Sequence, residues 1–372
     1  MKHAQRFILP VLTVAIALFS VTARAVVPAG PAISGLAAAR QFIPAGDARF
    51  RYEGRIDFAN PAAPVVVWEG SRISLDFEGE VLALRFEGAT GQNFFNAGVD
   101  GRNTIVSVPA KPSDRIELPV AGPGRHHLVL FKRSEASAGQ VRFTGVELAA
   151  GAQAWVAPAP DYRLRMEFLG DSISAGACNE DSAADQWADR RTHNNALSYT
   201  ALTAAAFHAD YRCTAVSGMG IAAGWTEVKA GQAWDKIYPA ATSPRADLTA
   251  WQPDVLLINL GENDDSFTRA HGQPFPAGFA PGYVALVKSI RAAWPRTRLV
   301  LLRGGMHGGA QSAPLREAWE AVVRQVEADD PLVSHFVFTH WSSNHPRVSD
   351  DRAMADELVA WLKREPFMQK LL

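Results

Sequence analysis

The sequence lacks any marked excess of charge and contains few cysteines. Its 372 residues carry 37 basic and 38 acidic side chains and only two cysteines. A near-neutral chain gives no electrostatic reason to bind nucleic acid or an anionic membrane surface, so neither is expected as a partner. Internal repeats and low-complexity tracts are also absent. With 48% hydrophobic and 20% charged residues, the composition is typical of a soluble globular protein, and the length favours two domains.

A long apolar run stands at the N-terminus. Lys2 and Arg6 precede an apolar stretch over residues 7–21, and a small-x-small sequence, Ala23-Arg24-Ala25, follows it. This order is typical of a secretory signal peptide, and the run is too short for a comfortable membrane span. We therefore expect a signal peptide over residues 1–25, cleaved after Ala25, and export to the periplasm or the medium. Because no cysteine follows the cleavage site directly, a lipid anchor is not expected.

The next hundred or so residues have the pattern of β structure. Residues 26–50 are rich in Ala, Pro and Gly without a period and are interpreted as a lead-in segment. Over residues 51–158, short apolar runs are cut by Gly and Pro. In one run Ile73, Leu75 and Phe77 alternate with polar residues, which indicates a half-buried strand. Many strands at this spacing, without intervening helices, predict an all-β sandwich of the jelly-roll type over residues 51–158.

From residue 160 to 372 the pattern changes to alternating strands and helices. This alternation predicts a parallel sheet covered by helices on both faces, which is a three-layer α/β domain. The predicted strands cover residues 164–169, 212–216, 255–260, 299–302 and 336–339, and the predicted helices cover residues 196–207, 283–293, 313–328 and 352–363.

Residues that could take part in catalysis follow four of these predicted strands. In a parallel α/β sheet the reacting groups lie at the carboxyl ends of the strands, so we expect these residues to share one rim. A serine needs a base to become a nucleophile, and histidine can take its proton near neutral pH. Backbone N–H groups and a side-chain amide can hold the oxyanion that forms. The residues are Ser172 (nucleophile), His345 (base), and the oxyanion donors Ser172, Gly218 and Asn263, with Gly220 as an alternative to Gly218.

This set of residues resembles the SGNH (GDSL-type) hydrolases, which have a flavodoxin-like three-layer fold. Ser172 falls on that family's nucleophile block and Gly218 on its second-block glycine. Asn263 falls on its Gly-x-Asn-Asp block and His345 on its final His-Pro block. Four blocks in the right order, each at the end of a predicted strand, are a specific signal.

Four motifs of the first domain resemble the N-terminal jelly-roll domain of carbohydrate esterase family 2. The resemblance implies an enzyme that removes acetyl groups from plant polysaccharides of the mannan or xylan type, often at a sugar 6-hydroxyl. The motifs have no catalytic role that follows from their own chemistry. They are Gly54-Arg55-Ile56-Asp57, Trp68-Glu69-Gly70-Ser71, Val99-Asp100-Gly101 and Phe131-Lys132-Arg133-Ser134-Glu135.

One position departs from the SGNH pattern. An aspartate normally stands three residues before the histidine, and this chain has Ser342 there. In the serine-protease template, replacing the buried Asp by Asn costs about 10⁴ in rate. The site is therefore either crippled or a Ser-His dyad, in which a backbone carbonyl near residues 341–343 accepts the Nδ1 proton. Since dyads occur in the family that the sequence resembles, the dyad is the favoured hypothesis. Asp350 and Asp351 are expected to be solvated.

The two cysteines, Cys178 and Cys213, flank loops that should be neighbours at the predicted rim. In an oxidising compartment such a pair often forms a disulfide, which we predict here with two buried thiols as the alternative. His126-His127 lacks the partner spacing of a zinc site. The sequence therefore predicts neither a metal nor a cofactor.

The sequence as a whole predicts an exported carbohydrate acetyl esterase that removes O-acetyl groups with a Ser-His dyad. Three alternatives stay open: a lipase or thioesterase acting on a non-carbohydrate ester, acetyl transfer to another sugar, and a non-catalytic carbohydrate-binding protein. For substrate binding, Trp341 is a candidate for stacking on a sugar ring and His307 for lining the pocket. Structural roles are the alternative for both residues.

Overall fold

A computed structural model describes residues 39–110 and 115–372. The predicted signal peptide, residues 1–25, lies outside the described residues, and so does part of the predicted lead-in segment. None of the helices in the described ranges has both the length and the hydropathy needed to cross a bilayer. The residues from Ala39 to Leu372 form one compact unit.

The first part of the described chain forms two antiparallel sheets. One has the order β3-β4-β11-β6-β9 with β1 paired to β11, and the other has the order β12-β5-β10-β7-β8 with β2 paired to β5. The predicted all-β sandwich is thus confirmed. The strands are β1 (Arg40–Pro44), β2 (Arg51–Glu53), β3 (Ile56–Asp57), β4 (Val65–Val66), β5 (Arg72–Glu78), β6 (Leu82–Gly91), β7 (Asn93–Val99), β8 (Arg102–Val108), β9 (Ile116–Leu118), β10 (Arg125–Lys132), β11 (Gly139–Ala149) and β12 (Ala154–Trp155).

The two sheets share one apolar core. Leu75 from the second sheet and Phe143 from the first are fully buried and belong to the same cluster. Phe86 and Phe95 stack between the sheets with ring centroids 5.3 Å apart, and Phe143 meets Phe86 edge-on at 5.6 Å. Because a slip of one residue would turn these rings to the outside, their packing fixes the register of the strands.

Strand β1 corrects one sequence prediction. It runs antiparallel to β11, with Arg40 opposite Ala149 and Pro44 opposite Gly145. The prediction that residues 26–50 are only a lead-in segment is therefore wrong for this stretch. Of the apolar residues in β1 only Ile43 is buried, so the strand is held largely by backbone hydrogen bonds at a sheet edge. Such pairing leaves no periodic signal in a sequence.

The second part of the described chain is a three-layer α/β domain. Its five strands are parallel in the order β14-β13-β15-β16-β17. This is the flavodoxin-like order 2-1-3-4-5, which confirms the predicted fold. The elements are β13 (Leu164–Gly170), α1 (Ser172–Ala175), α2 (Tyr199–Ala206), β14 (Ala209–Ala215), α3 (Ala230–Ala233), β15 (Val255–Asn259), α4 (Glu262–Ala270), α5 (Phe279–Ala293), β16 (Arg298–Met306), α6 (His307–Gln311), α7 (Ala313–Asp329), β17 (Val333–Ser342), α8 (Val348–Leu362) and α9 (Pro366–Leu371).

Helices cover both faces of this sheet, and the central strand β15 is buried along its whole length. Leu256 and Ile258 pack with α5 and α7 on one face. Val255 and Leu257 pack with α2 and α8 on the other face. Burial on both sides explains why the sequence of β15 is continuously apolar rather than alternating. In such sheets ligands bind at the carboxyl ends of the strands, next to the point where the strand order reverses, here between β13 and β15.

Replacement of Phe143 by Ala tests the sandwich core. We expect the free energy of unfolding to fall by about 3–5 kcal/mol, because a fully buried ring is removed and leaves a cavity. Phe42→Ala is the matched control: Phe42 lies on β1, which pairs with the same strand, and is 52% exposed. Its loss should cost only about 0.5 kcal/mol. Urea unfolding followed by circular dichroism measures both, and equal losses would contradict this description of the core.

Candidate active site

The first predicted motif lies at the carboxyl end of β13. Ser172 begins α1, a single helical turn that ends at Gly176, whose φ of 73° lies in the left-handed region that favours glycine. Asp171 caps the turn, because its Oδ1 accepts a hydrogen bond from the Ile173 N–H at 3.0 Å. The Ser172 hydroxyl is thereby held at the rim of the sheet, with only 4% of the residue exposed.

Ser172, His345 and Asp185 form a continuous chain of hydrogen bonds. Ser172 Oγ donates to His345 Nε2 at 2.8 Å, and His345 Nδ1 donates to Asp185 Oδ2 at 2.6 Å. A carboxylate at Nδ1 selects the tautomer that leaves Nε2 able to accept the serine proton. The three side chains therefore have the geometry of a nucleophile, a general base and the group that orients the base.

Asp185 comes from the connection between α1 and α2, residues 176–198, which we name the Asp185 loop. Arg347 Nη1 donates to Asp185 Oδ1 at 2.8 Å and to the carbonyl oxygens of Cys178 and His345 at 3.0 Å. Burial raises the pKa of Asp185, but the hydrogen bonds and charge of His345 and the hydrogen bond of Arg347 outweigh it and hold the pKa well below its usual range. The carboxylate is therefore ionised at neutral pH.

These contacts correct the dyad hypothesis. The partner of His345 Nδ1 is the Asp185 carboxylate, not a backbone carbonyl near residues 341–343. The expectation for Asp351 is wrong as well, since this residue is buried and accepts hydrogen bonds from the Tyr199 N–H at 2.9 Å and the Asn179 amide at 3.1 Å. Asp350 is partly exposed and bonds His340 rather than His345.

Gly218 lies opposite Ser172 in the connection between β14 and α3, residues 216–229, which we name the Gly218 loop. Its φ is 84°, a conformation that few residues other than glycine adopt. The hydrogen bonds of the described residues provide no acceptor for the backbone N–H of either Ser172 or Gly218. Position 220 requires glycine for a steric reason, because an added Cβ would lie 1.7 Å from the Ala223 carbonyl oxygen. Of the two glycines, Gly218 is the one that borders the cavity over Ser172.

Asn263 lies in the first turn of α4, next to Asp171. Its Nδ2 donates to Asp171 Oδ2 at 2.9 Å and to the Met219 carbonyl at 3.2 Å. Burial raises the pKa of Asp171 to about 8. The hydrogen bonds from Ile173 and Asn263 favour the ionised form and lower the pKa, but burial has the larger effect. Asp171 thus anchors both the turn that carries Ser172 and the amide of Asn263.

A cavity of about 560 Å³ opens over Ser172. Two tryptophans on its wall, Trp187 and Trp225, are 38% and 55% exposed, and Trp187 meets His345 edge-on at 5.1 Å. One wall residue, Ser137, belongs to the sandwich, so both domains border the cavity. The wall consists of Ser137, Ser172, Trp187, Arg190, Ser217, Gly218, Trp225, Thr226, Glu262, Asn263, Ser266, Met306 and His345.

The structure brings together the predicted Ser172, Gly218, Asn263 and His345, and adds Asp185, which the sequence analysis missed. Trp341 and His307 lie against each other with ring centroids 6.2 Å apart, but neither borders the cavity. Their role in substrate binding stays a prediction.

The predicted disulfide is wrong, because Cys178 and Cys213 are separate buried thiols. Cys178 Sγ lies 3.5 Å from His193 Nε2, whereas Cys213 Sγ lies 3.7 Å from the Ser174 carbonyl. The two side chains therefore pack in different surroundings, with Cys213 inside β14 and Cys178 in the Asp185 loop. Burial raises the pKa of both thiols.

One group of possible metal ligands occurs among the described residues. Ligand atoms of Cys178, Asp185 and His345 lie within 4.8 Å of one another. Asp185 and His345 Nδ1 are engaged with each other, and the raised pKa of the Cys178 thiol opposes the thiolate that a metal needs. The donor set is therefore poorly suited to a cation.

A serine held by a histidine and a carboxylate at the rim of a flavodoxin-like sheet defines a hydrolase of the serine type. Two family models match the chain: GDSL-like Lipase/Acylhydrolase family over residues 168–358 and Carbohydrate esterase 2 N-terminal over residues 52–160. The chain belongs to the GDSL-like lipase/acylhydrolase family, and its first domain is similar to the N-terminal domain of carbohydrate esterase family 2. The predicted carboxylic ester hydrolase is thereby confirmed.

Individual relatives agree with this family. The chain is 31% identical over 326 residues to a cellulase/esterase, CelE, of Acetivibrio thermocellus, covering 84% of this chain but only 39% of that protein. It is 27% identical to an acetylxylan esterase / glucomannan deacetylase of Cellvibrio japonicus, covering 84% of this chain and 90% of that one. Among solved structures, a family two carbohydrate esterase from Clostridium thermocellum in complex with cellohexaose superposes with a TM-score of 0.76 at 29% identity, covering 87% of this chain and all of that one.

Substitution of Asp185 by Asn tests the correction to the dyad. We expect kcat to fall by about 10⁴, as in the serine-protease template, because an amide at Nδ1 no longer selects the required tautomer or stabilises the imidazolium. Asp350→Asn is the matched control. Asp350 is the first carboxylate after His345 in the sequence, but it bonds His340 and accepts from the Arg347 N–H, which an amide oxygen can still do. This variant should keep kcat near that of the wild type. Steady-state hydrolysis of an aryl acetate measures both. An active Asp185→Asn enzyme would mean that the dyad hypothesis was right after all.

Proposed function

We propose that this protein hydrolyses O-acetyl esters of polysaccharides by a Ser-His-Asp mechanism. The observation that carries the proposal is the chain of hydrogen bonds from Ser172 Oγ through His345 to Asp185, at 2.8 and 2.6 Å. His345 Nε2 takes the proton as Ser172 Oγ attacks the acetyl carbonyl carbon. Asp185 orients the ring and stabilises the imidazolium that forms.

The tetrahedral intermediate carries a negative oxygen that needs donors. The backbone N–H groups of Ser172 and Gly218 supply two of them. Asn263 supplies the third, from the Nδ2 hydrogen that makes the longer, 3.2 Å bond to Met219, while the other hydrogen stays on Asp171. The C–O bond to the sugar then breaks, and the imidazolium protonates the departing sugar oxygen. In the second half, His345 activates a water that attacks the acetyl-Ser172 ester and releases acetate.

The cavity over Ser172 has groups that suit a carbohydrate ester. Its wall includes hydroxyl and guanidinium groups from Ser137, Arg190, Thr226 and Ser266, which can hydrogen-bond sugar hydroxyls. The exposed indoles of Trp187 and Trp225 offer apolar faces to sugar rings. Relatives named acetylxylan esterase / glucomannan deacetylase support xylan and glucomannan as substrates.

A non-catalytic carbohydrate-binding protein is the second candidate. The Ser342 departure favoured it at the level of sequence, because the normal triad aspartate is missing. The missing aspartate no longer favours this candidate, since the Asp185 carboxylate bonds His345 from another loop.

Acetate release from acetylated glucomannan and acetylated xylan tests the proposal, with an aryl acetate alongside. Ser172→Ala should lower the rate at least about 10⁴-fold, because the nucleophile is removed. Ser174→Ala is the matched control on the same helical turn: its hydroxyl bonds Tyr199 at 2.9 Å rather than His345. This variant should lose stability and keep activity.

Cleavage of the aryl acetate alone would keep the mechanism and exclude the carbohydrate substrate. Binding of glucomannan or xylan without release of acetate from any ester would contradict the proposal and favour the carbohydrate-binding protein.

Export is also proposed, on the charged, apolar and small-residue segments of residues 1–25. Expression of the full chain in a bacterial host, followed by N-terminal sequencing of the protein from the periplasm, should give Val26 as the first residue. Full-length protein confined to the cytosol would contradict this expectation.

A further inference from the structure

We propose that Glu135, a residue of the sandwich domain, positions the catalytic machinery by holding the Gly218 loop and the Asp185 loop with one carboxylate. This inference rests on the proposed function and deepens it. It also gives a role to the motif at residues 131–135, which the family resemblance singles out and the reaction does not use.

The two oxygens of Glu135 reach different loops. Oε2 accepts a hydrogen bond from the Ser217 N–H at 3.2 Å. Oε1 accepts from Arg190 Nη1 at 2.8 Å and lies 3.3 Å from His193 Nδ1. The Glu135 side chain is fully buried, so these contacts are shielded from water and are strong for their length.

Each loop carries a group that the reaction needs, next to its contact with Glu135. Ser217 directly precedes Gly218, whose N–H is a proposed oxyanion donor. In the other loop, the Arg190 guanidinium lies over the ring of Trp187 at 4.7 Å. Trp187 in turn meets both His193 and His345 edge-on at 5.1 Å. A displacement of Glu135 would therefore change the positions of both the Gly218 N–H and the His345 ring.

Two other sandwich residues bond this region, each on one side only. Glu69 accepts a hydrogen bond from the N–H of Ala215, the last residue of β14, at 2.9 Å, directly before the Gly218 loop. Gln92 holds the Asp185 loop from the other side, where it accepts from the Arg190 N–H at 3.0 Å and donates to the Ala188 carbonyl at 2.8 Å. Glu135 differs from both because it bonds the two loops at once.

The charge of Glu135 suits this role. Burial raises its pKa, but the hydrogen bonds and charges of His193, Ser217 and Arg190 outweigh the burial and lower the pKa to about 2. The group is therefore an acceptor at both oxygens. An amide in its place would put a donor against one of the N–H groups and release one loop.

Glu135→Gln tests the proposal with kcat and KM for 4-nitrophenyl acetate. We expect kcat to fall about 10- to 100-fold with KM little changed, because small displacements of oxyanion donors and of the base are costly in the transition state. Glu167→Gln is the matched control. Glu167 is an equally buried carboxylate at the same domain interface, where it pairs with Arg55 at 2.8 Å and touches neither loop. This variant should melt at a lower temperature and keep kcat.

Glu135→Asp separates positioning from charge and is available if Glu135→Gln does not fold. It keeps the buried charge but shortens the side chain by one methylene, so the carboxylate no longer reaches both loops and kcat should fall as well. Wild-type kcat in folded Glu135→Gln or Glu135→Asp would overturn the proposal, and so would an equal loss of kcat in Glu167→Gln. If the variants give these results and the wild-type enzyme is active, only the role of Glu135 is rejected and the proposed function stands. A wild type without activity on any ester would overturn both.

Discussion

The hydrogen bond between His345 and Asp185 is the contact on which the rest of the site depends. It joins residues 160 positions apart at 2.6 Å, and it fixes the imidazole so that Nε2 faces Ser172. Arg347 keeps the carboxylate charged and in place from the other side. Without this contact neither the tautomer nor the orientation of His345 would be fixed for taking the proton of Ser172.

The fold explains why these groups meet. Parallel strands with the order 2-1-3-4-5 bring Ser172 and Asn263 to the carboxyl ends of the neighbouring strands β13 and β15. The Asp185 and Gly218 loops are long and irregular, and they need support beyond the sheet. The sandwich bonds both loops through Glu135, and Glu69 bonds the end of β14 directly before the Gly218 loop. In the proposed mechanism the sandwich therefore supports the catalytic loops rather than being an appended module.

Sequence patterns predicted what periodicity and motif order encode. Continuous apolar runs such as β15 indicated a parallel sheet, and Ser172, Gly218, Asn263 and His345 each follow a strand. Asp185 was not predicted because it lies on an irregular loop that also contains Asp181 and Asp189. The spacing of these three aspartates does not indicate which of them bonds the histidine. The disulfide prediction failed because Cys213 lies inside β14, where its thiol packs at the Ser174 carbonyl, whereas the Cys178 thiol lies at His193. Strand β1 was missed because backbone pairing at a sheet edge has no apolar period.

The most direct test of the account is to trap the acyl-enzyme. An acetylated substrate is mixed with the protein, the reaction is quenched in acid during turnover, and the acetyl group is located by peptide mass spectrometry. The account predicts a single acetyl ester on Ser172, formed more slowly when Asp185 is replaced. An acetyl group found on another residue during turnover would contradict this mechanism. Acetate release without any covalent intermediate, under conditions that slow deacetylation, would contradict it as well.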